Sequence, residues 1–269
     1  MKNTIQAVYL KNRRINKRAY PWSFIMQRII GGILSLCFPL FIYYFVFNQT
    51  LSKTFFEYSS TYDYVTYVVS GESVYIVAFA TLMNVSRCMI LEIREGTLDT
   101  FLLSPASRFG YFIGTYFEQL IRSLFEFSVL FITGILLGAR FNLNDIFILL
   151  TVLVFISLCC FSMSILLASI MVFTRDTYLT QNTIITLIGL FSGILFPIEL
   201  MPEQFQLISY MIPITYGLKL FRNCIIAQET LLNNLVLLLL MFFTSIIYLI
   251  SGFIILKKSE SNLIEEIYS

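Results

Sequence analysis

The chain has 269 residues, of which 58% are hydrophobic and only 13% are charged, and its formal net charge is +2. Soluble domains are nearer half apolar and a quarter charged, so the composition excludes an ordinary water-soluble fold. The sequence contains no histidine, and its five cysteines form no CxxC pair. Because the commonest general base and metal ligand are missing, we predict no catalytic, metal or cofactor site in this chain.

The N-terminal segment, residues 1–28, is basic but carries apolar side chains at intervals, among them Ile5, Val8 and Trp22. This pattern is typical of a helix that lies in the membrane interface, and we predict such a helix as the first unit of the chain. A plain basic flank that only orients the first span is the alternative. No small-residue cleavage site follows the first apolar run, so we expect this span to be retained.

The remainder, residues 29–269, is dominated by apolar runs. A helix that crosses the hydrocarbon core needs about 20 mostly apolar residues. We therefore predict an all-α integral membrane fold with six transmembrane helices. In this layout thirteen lysines and arginines lie on the side of the N-terminus and four, including Arg222, on the other, which predicts that both termini are cytoplasmic. The predicted spans are about 29–47, 65–86, 111–137, 146–173, 177–198 and 234–256.

Charged residues interrupt two of these runs. Glu118, Arg122 and Glu126 are four apart in the third span, so they lie on one helical face where opposite charges can pair. They form either a polar stripe along a substrate path or an ion-paired face near the cytoplasmic end of the span, with a proton relay as a third reading. Glu72, in the second span, is expected to pair or snorkel near the interface rather than contact a substrate.

A polar segment, residues 87–110, separates the second and third spans. Within it Leu98, Phe101 and Leu102 recur at helical spacing, and Thr97 and Pro105 are suited to begin and end a short helix. We predict a short amphipathic helix in the cytoplasm whose apolar face contacts a partner protein.

A proline-rich segment, residues 197–217, follows the fifth span. It holds three of the six prolines, Pro197, Pro202 and Pro213. The segment is too apolar for an ordinary loop and too short to cross the membrane. We predict short broken or re-entrant helices on the outer side, docked against the spans so that their backbone groups are satisfied.

Two stretches resemble the type-2 ABC export permeases, which are the membrane subunits of drug, natural-product, polysaccharide and lipid exporters. Residues 92–107, Glu-Ile-Arg-Glu-Gly-Thr-Leu-Asp-Thr-Phe-Leu-Leu-Ser-Pro-Ala-Ser, are similar to that family's E-x-x-x-G-T-L-[DE]…L-L-x-[ST]-P loop. Residues 196–202 with 212–222 are similar to its F-P…L-P…P-x-T…R segment. Together with the six-span layout, the resemblance covers nearly the whole chain.

The resemblance implies a role for each segment. The loop after the second span would be a coupling helix that docks on a cytoplasmic ATPase, and the proline-rich segment would form an outer gate. We hypothesise that Leu98, Phe101 and Leu102 fill an apolar groove of the ATPase while Arg94, Glu95 and Asp99 pair at its rim. The ATPase-coupling residues are Glu92, Arg94, Glu95, Gly96, Thr97, Leu98, Asp99, Phe101, Leu102 and Pro105, and the outer-gate residues are Phe196, Pro197, Pro202 and Pro213.

The resulting functional prediction is the permease subunit of an ATP-driven exporter that moves an amphipathic or lipophilic molecule by alternating access. The sequence has no GxxxxGK[ST] phosphate loop, so ATP and Mg²⁺ are expected on a separate ATPase dimer. A second permease copy, identical or paralogous, would complete the path in a prokaryotic plasma membrane, and no nucleic acid is involved. The alternatives are a permease for lipid-linked polysaccharides and an ion-coupled secondary transporter, while a membrane enzyme is disfavoured.

Overall fold

The computed structural model describes residues 1–19, 23–50, 53–59, 63–141, 145–174 and 178–268, and within these residues all regular structure is helical. A π-helical turn, Ile42–Val46, prolongs the second helix, and one 3₁₀ turn spans Ile198–Leu200. The α-helices are α1 Lys2–Ala19, α2 Ser23–Phe41, α3 Lys53–Tyr58, α4 Tyr64–Arg94, α5 Leu98–Leu103, α6 Arg108–Leu136, α7 Ile146–Thr174, α8 Tyr178–Phe191, α9 Glu203–Met211, α10 Pro213–Ile225 and α11 Leu235–Tyr268.

Five stretches among the described residues are long and apolar enough to cross a membrane. They coincide with five of the six predicted spans, although α4 and α11 run past the predicted ends. The fifth predicted span, 177–198, begins outside the described residues. Its helix α8 has 14 residues and measures about 21 Å, less than the hydrocarbon core. The five stretches are Met26–Val46, Tyr64–Arg94, Arg108–Leu136, Ile146–Thr174 and Leu235–Ser261.

Helix α7 lies at the centre of the bundle, where it packs against α4, α10 and α11. It carries no charged residue, and side chains on several of its faces, such as Leu153, Ile156 and Cys160, are at most 1% exposed. A helix that is apolar all round is suited to such a central place. By contrast, α2 and α11 direct large apolar side chains outward, including Phe38 and Phe243, which are 69% and 64% exposed. These faces are suited to lipid or to another membrane helix.

Helix α1 packs directly on the start of α6, where two glycines face it. A Cβ atom on Gly114 would come within 2.8 Å of Val8 Cβ and 2.9 Å of the Ile5 carbonyl oxygen, and one on Gly110 would meet Thr4 Cβ at 3.4 Å. Only glycine permits this separation between the two helices. The Gly110–Gly114 pair therefore serves packing within the chain.

Both ends of the described chain lie at the same end of the bundle, which we call the junction end. Lys11 of α1 lies 2.5 Å from Glu92 at the end of α4, and Glu260 of α11 lies 3.3 Å from Arg108 at the start of α6. The opposite end, here called the far end, holds residues 192–234.

Candidate functional site

The carboxylate of Glu92 connects several elements at the junction end. Glu92 is 5% exposed, and its Oε1 accepts hydrogen bonds from Lys11 Nζ at 2.5 Å and from the Tyr111 hydroxyl at 2.7 Å. Its Oε2 accepts from Thr97 Oγ1 at 2.5 Å. Because Lys11 is on α1, Tyr111 on α6 and Thr97 in the turn before α5, Glu92 joins three elements to its own helix α4.

The turn between α4 and α5 depends on Gly96, whose φ is +68°, in the left-handed region that favours glycine. Thr97 occupies the predicted N-cap position of α5, but its hydroxyl makes no capping bond and donates to Glu92 instead. The expected capping role of the Thr97 side chain is therefore wrong. Helix α5 ends at Leu103, two residues before Pro105, as the sequence predicted.

Two side chains that were hypothesised to fill an ATPase groove pack against this chain. Leu98 is 5% exposed and belongs to a cluster formed mainly by α4, α6 and α7. The Phe101 ring lies 4.7 Å from the Tyr111 ring, measured between centroids. The side chains of Asp99 and Leu102 lie outside the described residues.

The outward face of this segment consists of other residues. Leu103 is the apolar residue of α5 that is most clearly exposed, at 69%. Arg94, Glu95 and Gly96, at the turn before α5, are exposed as well. Among its described side chains, the segment thus offers one exposed apolar residue, Leu103, close to charges of both signs.

Arg108 fixes the other end of α5. Its Nη1 donates to the carbonyl oxygens of Phe101 and Ala106 at 3.0 and 3.1 Å, and its guanidinium carbon lies 4.7 Å from the Phe101 ring centroid. Its Nε lies 3.3 Å from Glu260 Oε1 of α11. One arginine at the start of α6 therefore connects the C-terminal end of α5 to α11.

The described ion pairs of Glu118, Arg122 and Glu126 lead to two different helices. Arg122 Nη1 lies 3.7 Å from Glu118 Oε1 on the same helix, whereas Glu126 Oε1 lies 3.1 Å from Arg28 Nη1 of α2. Glu118 and Glu126 are 9% and 2% exposed. The three predicted residues thus do share a helical face, but Glu126 connects α6 to α2. Whether they line a transport path stays a prediction.

A cavity of about 380 Å³ opens between α1, α4 and α6 at the junction end. Its lining includes Lys11, Asn84, Arg87 and Gln119. Gln119 is fully buried, and neither its amide oxygen nor its amide nitrogen has a hydrogen-bond partner within the described part of the chain. The charges on α6 drew attention in the sequence, whereas a neutral glutamine gave no comparable signal.

At the far end, each proline of the predicted gate begins a helical element. Pro197 precedes the 3₁₀ turn, Pro202 precedes α9, and Pro213 is the first residue of α10, a position that needs no backbone N–H. Phe196 is half-buried just before the first of these turns. Two short helices follow these prolines, α10 inside the bundle and α9 at its surface with Leu207 66% exposed, and a re-entrant course on the outer side stays a prediction.

Arg222 of α10 holds the far end together, although it is 5% exposed. Its Nη1 donates to the Gly193 carbonyl at 2.9 Å, and its Nη2 donates to the carbonyls of Ile194 and Tyr67 at 3.1 and 3.2 Å. Its Nε donates to Ser70 Oγ at 3.1 Å. The guanidinium thus joins the chain segment after α8 to α4.

Sequence reasoning missed this role, because Arg222 was counted as a cation of an outer loop. The available signal was its position in an apolar helix, between Leu218, Phe221 and Ile225, which are all at most 3% exposed. A charge on such a face requires partners within the protein.

The family model of ABC-2 type transporters matches residues 8–226, which run from α1 to the end of α10. The chain belongs to the ABC-2 type transporter family. A search among curated proteins gives no match. The family confirms the resemblance drawn from residues 92–107 and 196–222. As an ABC-2 membrane domain, the chain is a multi-pass permease and carries out no catalysis itself.

Proposed function

We propose that this ABC-2 permease is the membrane subunit of an ATP-driven exporter and that residues 94–103 bind its cytoplasmic ATPase. The observation that carries the proposal is the way the junction end holds α5. A short helix with an exposed outer face is tied to α4 through Thr97 and Glu92 and to α6 and α11 through Arg108. A partner that moves α5 would therefore move the bundle.

The topology that this role requires has six crossings. Since both ends of the described chain lie at the junction end, the number of crossings between them is even. Five helices are long enough to cross, and we assign the sixth crossing to α8 with the residues that follow it. Hydrogen bonds from Tyr75 to the Ile185 carbonyl, at 3.5 Å, and from Tyr67 to the Gly193 carbonyl, at 2.9 Å, support this by placing α8 along α4 toward the far end.

The excess of Lys and Arg on the N-terminal side supports a cytoplasmic junction end, and so a far end facing outward in a prokaryotic plasma membrane. In the proposed mechanism an ATPase dimer, which binds ATP and Mg²⁺, closes and displaces α5. The displacement reaches α1, α4, α6 and α11 through the side chains of Glu92 and Arg108. Two permease copies enclose the path of an amphipathic cargo, and the proline-rich segment closes its outer side.

The substitution Leu103→Asp tests the docking surface. It places a charge on an exposed residue of α5, so we expect the chain to insert and fold normally. We also expect the amount of cognate ABC ATPase that copurifies with it to fall by about tenfold or more. The matched control is Leu232→Asp, because Leu232 is 78% exposed and lies at the far end. Equal ATPase recovery with both variants would refute the assignment of the docking surface.

A further inference from the structure

A second cavity, of about 390 Å³, lies between α2 and α4, on the membrane side of the junction-end cavity. The two cavities share Asn84 and Arg87 in their linings. They therefore follow one another along α4, from the polar junction end into the membrane-spanning part of the bundle. The cavity between α2 and α4 is here called the α2–α4 groove.

Glu72 lies at the deep end of the groove and is 8% exposed. Its Oε2 accepts a hydrogen bond from Ser35 Oγ at 3.0 Å. Among the described residues no lysine or arginine lies within 4.0 Å of its carboxylate. A carboxylate that is buried in a membrane span without a cation is costly and marks a functional position.

The two arginines of the groove do not neutralise Glu72. Arg28 pairs with Glu126 at 3.1 Å and lies beside Phe79, 5.8 Å from the ring centroid, about two helical turns along α4 from Glu72. Arg87 is farther away, about 22 Å along the same helix. Glu72 thus provides negative charge at one end of the groove.

The walls of the groove are apolar and partly aromatic, and they include Tyr75, Ile76, Phe79 and Met83. On the α2 side, Gly31 leaves open space, since a Cβ atom built there meets nothing within 4 Å. The groove therefore combines a hydrocarbon-lined channel with a single acidic end.

We propose that the α2–α4 groove binds an amphipathic amine, with its ammonium group on Glu72 and its apolar body along Tyr75, Phe79 and Met83. An ammonium ion supplies the missing positive charge, and aromatic faces beside it add cation–π attraction. An anion is repelled by Glu72, and a neutral molecule leaves the carboxylate unpaired. The role of this amine as cargo rests on the proposed export function, whereas its binding does not.

Binding is measured on the purified permease in phosphatidylcholine nanodiscs, without ATPase or nucleotide. The probe is a dansyl fluorophore joined through a short alkyl chain to a primary amine, and its acetylated form is the neutral counterpart. We expect the amine to bind about tenfold more tightly than the acetylated probe, because one charge-assisted contact is lost. Glu72→Gln should abolish this preference, whereas the matched control Glu203→Gln, which alters an exposed acid on α9, should retain it.

A second variant tests the groove independently of charge. Gly31→Leu fills the open space next to α2 and should weaken the binding of both probes about tenfold while the chain still folds. Equal affinity of wild type for the two probes, no binding of either, or an undiminished preference in Glu72→Gln would each overturn the proposal. Loss of the preference when phosphatidylethanolamine is added would assign the groove to a lipid headgroup and overturn the cargo assignment. Since no ATPase is present, none of these results depends on the docking test at Leu103.

Discussion

The two ends of the bundle hold their helices together in different ways. At the junction end, Glu92 and Arg108 act within ion pairs that retain some contact with solvent, and the side chain of Lys11 is 43% exposed. At the far end, Arg222 is nearly fully buried and all four of its described hydrogen bonds go to neutral oxygens. Solvated ion pairs contribute little and tolerate small displacements, whereas a buried guanidinium fixes its acceptors.

Because of this difference, the two ends of the bundle should resist displacement to different degrees. At the junction end the Lys11–Glu92 contact can lengthen at modest cost because water reaches Lys11, whereas Glu92 keeps its hydrogen bonds to Tyr111 and Thr97. The contacts of the far end cannot do so, because the carbonyls of Gly193 and Ile194 have Arg222 as donor in a dry environment. A displacement of the helices is therefore expected to cost less at the junction end than at the far end.

The largest effect is expected for Arg222→Met, which keeps the length of the side chain but removes its donors. Ser70 and the buried carbonyls of Gly193, Ile194 and Tyr67 would each lose a charge-assisted hydrogen bond, so the free energy of unfolding should fall by about 4 kcal/mol. Denaturant titration of the purified permease measures this. Lys219→Met is the control, because its pair with Glu199 is partly exposed and is worth at most about 1 kcal/mol. Equal losses of stability in Arg222→Met and Lys219→Met would show that the buried guanidinium holds the far end no more firmly than an exposed ion pair does.

A smaller effect is expected for Gly71→Ala on α4. The added Cβ atom would overlap the Ile194 carbonyl oxygen and lie 3.0 Å from Arg222 Nη2, so the far end must shift. We expect a loss of about 2 kcal/mol by the same titration. Gly31→Ala is the matched control, since alanine fits there and improves helix propensity by about 1 kcal/mol. An unchanged stability of Gly71→Ala would show that the contact between α4 and the segment after α8 is loose.

The smallest effect is expected for Glu92→Gln, which removes the charge attraction to Lys11 but retains hydrogen-bonding oxygen and nitrogen atoms. We expect a loss of about 1 kcal/mol that shrinks as salt is added, together with faster amide hydrogen exchange in α1. Glu95→Gln serves as the control because Glu95 is exposed. An unchanged rate of amide exchange in α1 would mean that the packing of α1 on Gly110 and Gly114 of α6 is enough to hold it.

The sequence was sufficient for the features that depend on local pattern. Long uncharged runs located α7 almost to the residue, 146–173 predicted against Ile146–Thr174 observed. The prolines located the helical starts at the far end, because proline is suited to the first residue of a helix or to the position just before it. In both cases the residues of the segment itself were enough to predict where the helix lies.

Features that depend on distant partners could not be predicted. Helix α8 ends at Phe191, and the chain then turns at Gly193, whose φ is +76°. The carbonyl of Gly193 accepts a hydrogen bond from Arg222. The apolar residues of the predicted span 177–198 continue past Phe191, so they did not predict that the helix ends there. Likewise, the amphipathic pattern around Leu98 shows that one face is covered but not by what, and the covering surface proved to belong to this chain. A sequence period specifies a buried face, and only the fold specifies its partner.

The length of α11 fixes how deep the bundle sits in the bilayer. The helix has 34 residues and is about 51 Å long, whereas its uncharged part, 235–256, is about 33 Å and matches a hydrocarbon core of about 30 Å. Lys257 and Lys258 follow at once and anchor that point at the headgroup level, which leaves Glu260 and its contact with Arg108 just outside the hydrocarbon. The helix position that responds to membrane thickness is therefore also the position that holds α5, so a thinner or thicker bilayer strains the Arg108–Glu260 contact first.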